Sequence, residues 1–404
     1  MKNIDRYGNL SVALRELSVK ENKMIKIFMT GDNHIGKKYD RYPTVKDRLI
    51  QSRIDCIRDM VQQAENEECG LFVVTGDLFD NVSSVKVGDV KKIVDILAGF
   101  SGNVLVLPGN HDYYTGEEKV WKDFEKALQN VEHNITLLTE LREYEFEVGE
   151  EIVIVYPAFC QSKHSEKNNL EWIKSADIRG GEGYSIGIAH GAIKGITPDM
   201  NEEYFLMTEN ELLDIPVDVW LIGHTHVQYP SNLKEREDIV GYKIFNAGSH
   251  EQTSLNNNTE GCCFIITLEK VAGRTRVSAH KYISGKVRYY DLKLDIKPEV
   301  NSSLREELER LTADLGANSI VRVELTGTIE QEEYDNRKRI YKEVLERFLA
   351  YDEVVDGGLS ERITLKKIQS EFSELSFAAK LLERLIDEPV ELQMAYNMLQ
   401  ACRK

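Results

Sequence analysis

Apolar and polar positions change period along the chain, and the changes divide it into elements. Residues 24–30, MIKIFMT, alternate as a strand and run into the turn GDNH. Between 47 and 66, Leu49, Ile50, Ile54, Ile57, Met60 and Val61 recur at helical spacing. At 71–74 the apolar run Leu71, Phe72, Val73, Val74 reads as a short buried strand. It stops at Thr75 and Gly76, where glycine allows a sharp turn, and delivers the carboxylate of Asp77. A helix over 87–100 and a strand from 103, ending in PGNHD, follow. Strands alternating with helices predict a largely parallel sheet with covering helices. The C-terminal edge of such a sheet is where α/β proteins build sites.

Beyond residue 135 the chain turns strand-rich. Apolar runs such as EIVIVYPAF, YSIGIAHG, VDVWLIGHTH and CCFIITLE are interrupted by helices predicted at 166–176 and near 209–213. This pattern predicts a second sheet packed on the first, with helices outside both. The main domain is expected over 24–286, and a β-α-β-α-β order predicts a small separate α/β domain over 287–358. In the tail, 359–404, Ile368, Phe372, Leu375, Leu381, Leu382 and Leu385 recur mostly at three- and four-residue steps, an amphipathic helix that Pro389 breaks. Residues 1–23 form a polar extension without a motif.

Composition narrows the function classes. Of 404 residues, 42% are hydrophobic and 29% charged, ordinary for a soluble globular protein. No apolar run approaches the length of a membrane span, and the N-terminus lacks the apolar core of a signal peptide. Six cysteines show no paired framework, which points to the reducing cytoplasm. A net charge of −17 argues against coating nucleic acid by bulk electrostatics, though not against a nuclease that uses metals and local cations. One such stretch, 270–290, holds Lys270, Arg274, Arg276, Lys281, Lys286 and Arg288 without an acid. Its plainer reading is the solvated face of a hairpin turning at Ala272 and Gly273.

Five strand-end segments carry metal-capable side chains: Asp32 and His34 after Gly31; Asp77 after Gly76; Asn110, His111 and Asp112 after Gly109; His190 before Gly191; and His224 and His226 after Gly223. Residues two apart on an extended segment point to one side, so Asp32 with His34, and His224 with His226, can each aim at one cluster. A lone histidine at a strand end is more often structural, and Asn110 alone reads as a turn residue. Together, imidazole and carboxylate without thiolate suit Mn²⁺, Fe²⁺ or Zn²⁺ and argue against a structural zinc site. The donors are too many for one open ion. They fit two divalent ions about 3.5–4 Å apart that share Asp77 and a bridging hydroxide.

In this order, D-x-H, GD, GNHD, H-G and GHTH resemble the calcineurin-like metallophosphoesterase superfamily over roughly 24–283. GDLFD at 76–80 is similar to the SbcD-type DNA repair exonucleases. The resemblance implies an α/β, two-sheet sandwich flanked by helices, with a small α/β capping domain and C-terminal helices. It implies that Asp32, His34, Asp77 and His226 hold one metal, and Asp77, Asn110, His190 and His224 the other. His111, oriented by Asp112, would then protonate the leaving oxygen or stabilise charge on the phosphoryl group.

The activity implied is Mn²⁺-dependent exonucleolytic hydrolysis of DNA, a metal-bridging hydroxide attacking phosphorus. The enzymatic alternative is a phosphodiesterase or phosphatase acting on a small or cyclic nucleotide. A degenerate scaffold is a rival of another class, against which the full set of ligands speaks. Expected partners are DNA, an SMC-like ATPase subunit met through Ile368, Phe372 and Leu375 of the C-terminal helices, and a second copy in a homodimer; no membrane is expected. The alternative for those helices is packing on the capping domain. Lys37, Lys38 and Arg41 are candidates for holding phosphates, and Tyr39, Tyr113 and Tyr114 for stacking bases, with ordinary packing as the plainer reading. His133, His164, His250 and His280 match no motif. One departure is Asp80, which stands where some nucleases of the family carry a second catalytic histidine.

Overall fold

The computed structural model describes residues 24–178, 183–196, 203–231, 235, 237–257, 259–297 and 302–402; the extension expected at 1–23 lies outside them. The chain divides into two compact units. One holds the described residues of Met1–Thr253 and Thr259–Lys286, the other those of Ser254–Asn258 and Val287–Lys404.

The first unit opens as the periodicity predicts. Strands β1 (Met24–Thr30), β2 (Leu71–Val74), β3 (Asn103–Val106) and β4 (Ile135–Leu137) run parallel. Helices α1 (Lys46–Asn66), α2 (Val87–Leu97) and α3 (Lys119–Leu128) connect them. The chain continues through β5 (Tyr144–Val148), β6 (Glu151–Ala158), α4 (Glu171–Ser175), β7 (Tyr184–His190), α5 (Glu209–Asp214) and β8 (Val219–Gly223). It closes with β9 (Ile239–Val240), β10 (Ile244–Phe245), β11 (Cys262–Val271) and β12 (Arg274–Ile283). Two sheets result, ordered β4-β3-β2-β1-β11-β12-β9 and β10-β8-β7-β6-β5. The helix expected at 166–176 is only the short α4, because Ser165 and Asn168 instead bond the backbone of the 203–206 segment.

Side-chain alternation builds a four-layer stack. Ile27, Met29, Leu71, Val73 and Leu105 face Val153, Val155, Ile186, Ile188 and Leu221 of the other sheet, forming the inner core. Phe28, Phe72, Val74, Val104 and Val106 point the other way, against Ile54, Ile57, Met60, Val90 and Ile93 of α1 and α2. Outside the second sheet, Trp220, Ile222, Tyr156 and Ala189 pack with Ile173 and Leu212. On α1 the buried stripe contains one charged residue, Arg53.

The basic stretch at 270–290 is largely the β11–β12 hairpin. Met24 pairs with Glu269, so its turn lies at the start of β1, the end of the sheet away from the loops that follow β1 and β2. Lys281 pairs with Glu260 at 3.5 Å and Lys286 with Asp59 at 2.5 Å.

The second unit is a parallel sheet of β13 (Arg288–Ile296), β14 (Ser319–Ile329), β15 (Ala350–Tyr351) and β16 (Val355–Glu361), with α6 (Leu304–Leu311) and α7 (Gln331–Leu345) as crossovers. The tail forms three helices, α8 (Leu365–Glu371), α9 (Phe377–Arg384) and α10 (Pro389–Ala401). Pro389 starts α10 rather than breaking a long helix, since a missing N–H is harmless in a first turn. Ile368 and Phe372, expected to meet a partner, are buried with Ile363, Ala379, Leu382 and Leu392 in the tail's own core. Leu375, at 82% exposed, remains outward.

Candidate metal centre

The loops after β1 and β2 are zipped together by backbone bonds, Asp32 N to Gly76 O at 3.0 Å and His34 N to Asp77 O at 2.9 Å. The third loop is tied to the second through His111 N, which donates to Asp77 Oδ1 at 2.8 Å. From the other sheet, His224 N donates to both oxygens of Asp32, at 3.0 and 3.1 Å. Asp32, His34, Asp77, His224 and His226 all have positive φ, between 46° and 102°. Non-glycine residues hold such a backbone only where surrounding bonds over-determine it. Gly76 has to be glycine: its φ is +100° and a Cβ there would overlap the His190 imidazole.

Three overlapping groups of metal-capable atoms form, each with its ligand atoms within 4.8 Å of one another: Asp32, His34 and His226; His34, Asp77 and His111; Asp77, His190 and His224. Asp77 lies at the junction. With Oδ1 engaged by His111 N, its Oδ2 stands 3.4 Å from His190 Nε2 and 3.8 Å from His34 Nε2. On one side His34 Nε2 meets His226 Nε2 at 2.9 Å, and His226 Nε2 lies 3.7 Å from Asp32 Oδ1. On the other, Asn110 Oδ1 is 3.1 Å from His190 Nε2 and 3.0 Å from His224 Nδ1. All seven residues expected as ligands thus converge.

The donor set fits divalent cations. Burial lowers the pKa of His34 and takes His226 well below the imidazole range, so both stand neutral with lone pairs to offer. Two imidazole nitrogens facing each other this closely suit a shared cation better than each other. Burial pushes the Asp32 carboxyl up to about 7. For His190 burial acts downward, but the Asp77 carboxylate outweighs it and lifts the imidazole to about 9. These carboxylates call for positive charge. His190 Nδ1 donates to Thr75 O at 2.8 Å, fixing the tautomer that aims Nε2 inward.

His111 is held differently from expectation. Asp112 does not orient its ring: its Oδ1 accepts from Gly109 N at 2.6 Å and its Oδ2 from Phe79 N at 2.9 Å, clamping two loops. Asp112 is wholly buried, and burial followed by the nearby Asp77 charge raises it to about 7. His111 Nδ1 bonds instead to the main-chain oxygen of Asp80, at 3.1 Å. A carbonyl only accepts, so Nδ1 carries the hydrogen and Nε2 is left for the site. Asp80 also places its Oδ1 3.4 Å from His34 Nδ1, and so supports both rings.

The remaining candidates separate. Lys37 is half-buried near Asp80, and burial lowers its pKa against that charge. Lys38 and Arg41 are exposed. Tyr39 is only 5% exposed and Tyr114 packs against the core, which is the ordinary packing reading; Tyr113 is half-buried.

Residues 25–228 match the family model of calcineurin-like phosphoesterases. The chain belongs to the calcineurin-like phosphoesterase family. It is 27% identical over 203 residues to the uncharacterized metallophosphoesterase YhaO of Bacillus subtilis (strain 168), covering 47% of each chain. The chain thus spans about half the length of that curated relative. Similar solved structures include the calcineurin-like phosphoesterase YfkN of Bacillus subtilis, at 14% identity and a TM-score of 0.36 over 65% of this chain and 91% of that one. A dimetal phosphatase from Danio rerio matches at 12% identity and a TM-score of 0.35, over 64% of this chain and 99% of that one. Among the described residues no helix is long and apolar enough to cross a membrane.

Sequence reading of this phosphoesterase missed the residues behind the candidate ligands. Arg53 Nε donates to Asn33 O at 3.0 Å and its Nη1 to Glu251 O at 3.2 Å, while Ser249 Oγ donates to Asp32 O at 3.0 Å. The available signal was a charged residue inside the apolar stripe of α1.

Proposed function

We propose that this calcineurin-like phosphoesterase is a two-metal phosphodiesterase that hydrolyses DNA, an exonuclease of the repair type, with Mn²⁺ as its metal. The observation that carries the two-metal reading is the position of Asp77 Oδ2 between His190 and His34, members of two different ligand groups. Asp32, His34, Asp77 and His226 would hold one ion, and Asp77, Asn110, His190 and His224 the other. Bound there, divalent ions supply neutralisation of phosphoryl charge and activation of water for in-line attack.

The protein's own groups do the rest. Buried walls and the strained ligand loops keep the donors in place before substrate arrives, so little reorganisation is needed during reaction. His111, its Nδ1–H directed at Asp80 O, presents Nε2 to the leaving side; when protonated, Nε2 delivers its proton to the departing sugar oxygen. Lys37 adds a cation beside this face. Support for DNA over a small nucleotide comes from the GDLFD wording and from the separate α/β unit that follows the phosphoesterase core. The expected SMC-like ATPase partner rests on the resemblance; Leu365, Leu375, Phe377, Val390, Met394 and Met398 are the exposed large apolar residues of the described tail left for it.

A paired substrate assay tests the reading. Linear single-stranded and duplex DNA should be degraded with Mn²⁺, and His111→Ala should slow this by at least about a hundredfold while retaining its metals. Robust turnover of cyclic nucleotides with none on DNA would replace it with the small-nucleotide alternative.

A further inference from the structure

The two ions of the proposed centre draw on two of its three overlapping ligand groups. The third group, His34 with Asp77 and His111, has the same donors as the others, two imidazoles and one carboxylate, all within 4.8 Å of one another. His34 is the pivot. Its ring lies 4.8 Å from that of His226, tilted by 59°, and 4.8 Å from that of His111, at 89°. Its Nε2 is 2.9 Å from His226 Nε2 and 3.8 Å from Asp77 Oδ2, so an ion on this nitrogen can be completed from either side.

On the His111 side the supporting bonds are those of a metal ligand. Asp80 backs both rings, its Oδ1 3.4 Å from His34 Nδ1 and its main-chain oxygen 3.1 Å from His111 Nδ1. Both imidazoles therefore offer Nε2. A ring N–H directed at a main-chain carbonyl is a common outer bond of a metal-ligating histidine, and the candidate ligand His190 makes the same bond to Thr75 O at 2.8 Å. His111 N also donates to Asp77 Oδ1 at 2.8 Å, which ties this histidine to the carboxylate of its own group. Edge-to-face packing explains the contact between the two rings alone. It does not explain why one residue holds both rings from behind, with a carboxylate beside them.

Resting on the two-metal reading and on His111 as the acid, we propose that His34, Asp77 and His111 form a third position for a divalent transition-metal cation. It alternates with the Asp32, His34 and His226 position, because both use the same nitrogen of His34. An imidazole that holds a cation through Nε2 has no proton there to deliver. Occupied, the third position is an inactive form of the centre, and activity returns when the ion sits with Asp32 and His226 instead.

The test is the metal content of the full chain after equilibration with Mn²⁺ and removal of unbound metal. The wild type and His111→Ala should each retain two ions. His226→Ala, which removes the competing position, should also retain two, whereas His226→Ala/His111→Ala should retain one. His226→Asn repeats the comparison with less disturbance of the loop. In turnover, His226→Ala should lose about 10²-fold more on DNA than on bis(p-nitrophenyl) phosphate, whose leaving group needs no proton. Equal metal content with and without His111 in the His226 variants, at two ions or at one, would overturn the third position. Equal losses on the two substrates would overturn its inactivating effect. A wild type that retains fewer than two ions would overturn the two-metal reading and the third position with it. A wild type that holds two ions without degrading DNA would overturn the DNA reading alone, and the metal counts would still decide the third position.

Discussion

Arg53 donates from both Nε and Nη2 to one acceptor, the main-chain oxygen of Asn33, between the candidate ligands Asp32 and His34. Arg53 is 1% exposed, and its guanidinium also reaches Glu251 O and Ser249 Oγ. A buried charge is tolerated only when its donors are matched, and here they grip a loop whose two ligand residues both have positive φ. Arg53→Met should cost about 3 kcal/mol in denaturant unfolding by leaving those carbonyls unmatched. It should also weaken metal binding in titration calorimetry. Arg53→Lys, which keeps the charge without the fork, should fall between the two.

Asp77 and His34 should differ in how many ions they control. Asp77→Asn should lose both ions in metal analysis of the purified protein. His34→Ala should keep the ion held by Asp77, Asn110, His190 and His224. Chelation should lower the melting temperature of the wild type and change that of Asp77→Asn little, because metal stabilises only a state that binds it. An Asp77→Asn protein with the wild-type metal content would exclude the shared-carboxylate arrangement.

His111 is expected to matter most where the leaving group is poor. His111→Ala should reduce kcat on DNA by roughly 10²–10⁴-fold, the usual range for a positioned acid. It should reduce turnover of a p-nitrophenyl ester much less, since p-nitrophenolate leaves without a proton. Uniform loss on both substrates would point to charge stabilisation rather than proton delivery.

Asp112 should behave as a loop clamp. Asp112→Asn leaves one of its two backbone donors, Gly109 N or Phe79 N, facing an amide NH₂. A stability loss of about 2 kcal/mol is expected in chemical unfolding. The ratio of activity on DNA to activity on p-nitrophenyl ester should stay near that of the wild type, because His111 takes its orientation from Asp80 O.

Glu118 should link stability of the same region to pH. Its carboxylate accepts from Thr115 N at 2.8 Å and Thr115 Oγ1 at 2.6 Å, just ahead of α3. Burial alone would raise its pKa, but the Thr115 bonds outweigh it and the value is lowered from 4.5. A lowered folded pKa means the stabilisation is present above 4.5 and is lost as pH falls through the folded value. Glu118→Gln should therefore cost on the order of 1 kcal/mol at neutral pH, with the difference closing under acid conditions. A gap independent of pH would mean the charge is not what holds the turn.

Most of the candidate centre was legible because each candidate ligand sits in a local motif. Strand, glycine turn and ligand are neighbours in sequence, and the alternation of β1, β2 and β3 announces the strands. Helix ends were less legible. Residues 166–170 look helical by composition, but their polar groups find partners in a distant segment, Asn168 Nδ2 bonding Leu206 O at 2.8 Å. The tail misled in another way. Ile368 and Phe372 have the spacing of a docking stripe, yet both are buried among three short helices while Leu375 stays exposed.

By itself, then, the sequence determined the layered α/β fold, the family and which strand-end residues are the candidate ligands, all of which rest on short-range order of residue types. What surrounds the ligands was decided by tertiary structure. Arg53 and Glu251 meet across 198 positions and Ser249 and Asp32 across 217, so no local pattern could pair them. The same holds for one oxygen of Asp112, which accepts from Phe79 N across 33 positions, whereas the other takes the nearby Gly109 N. Side-chain chemistry can be read residue by residue; which polar group satisfies which is settled only when burial removes water as the alternative partner.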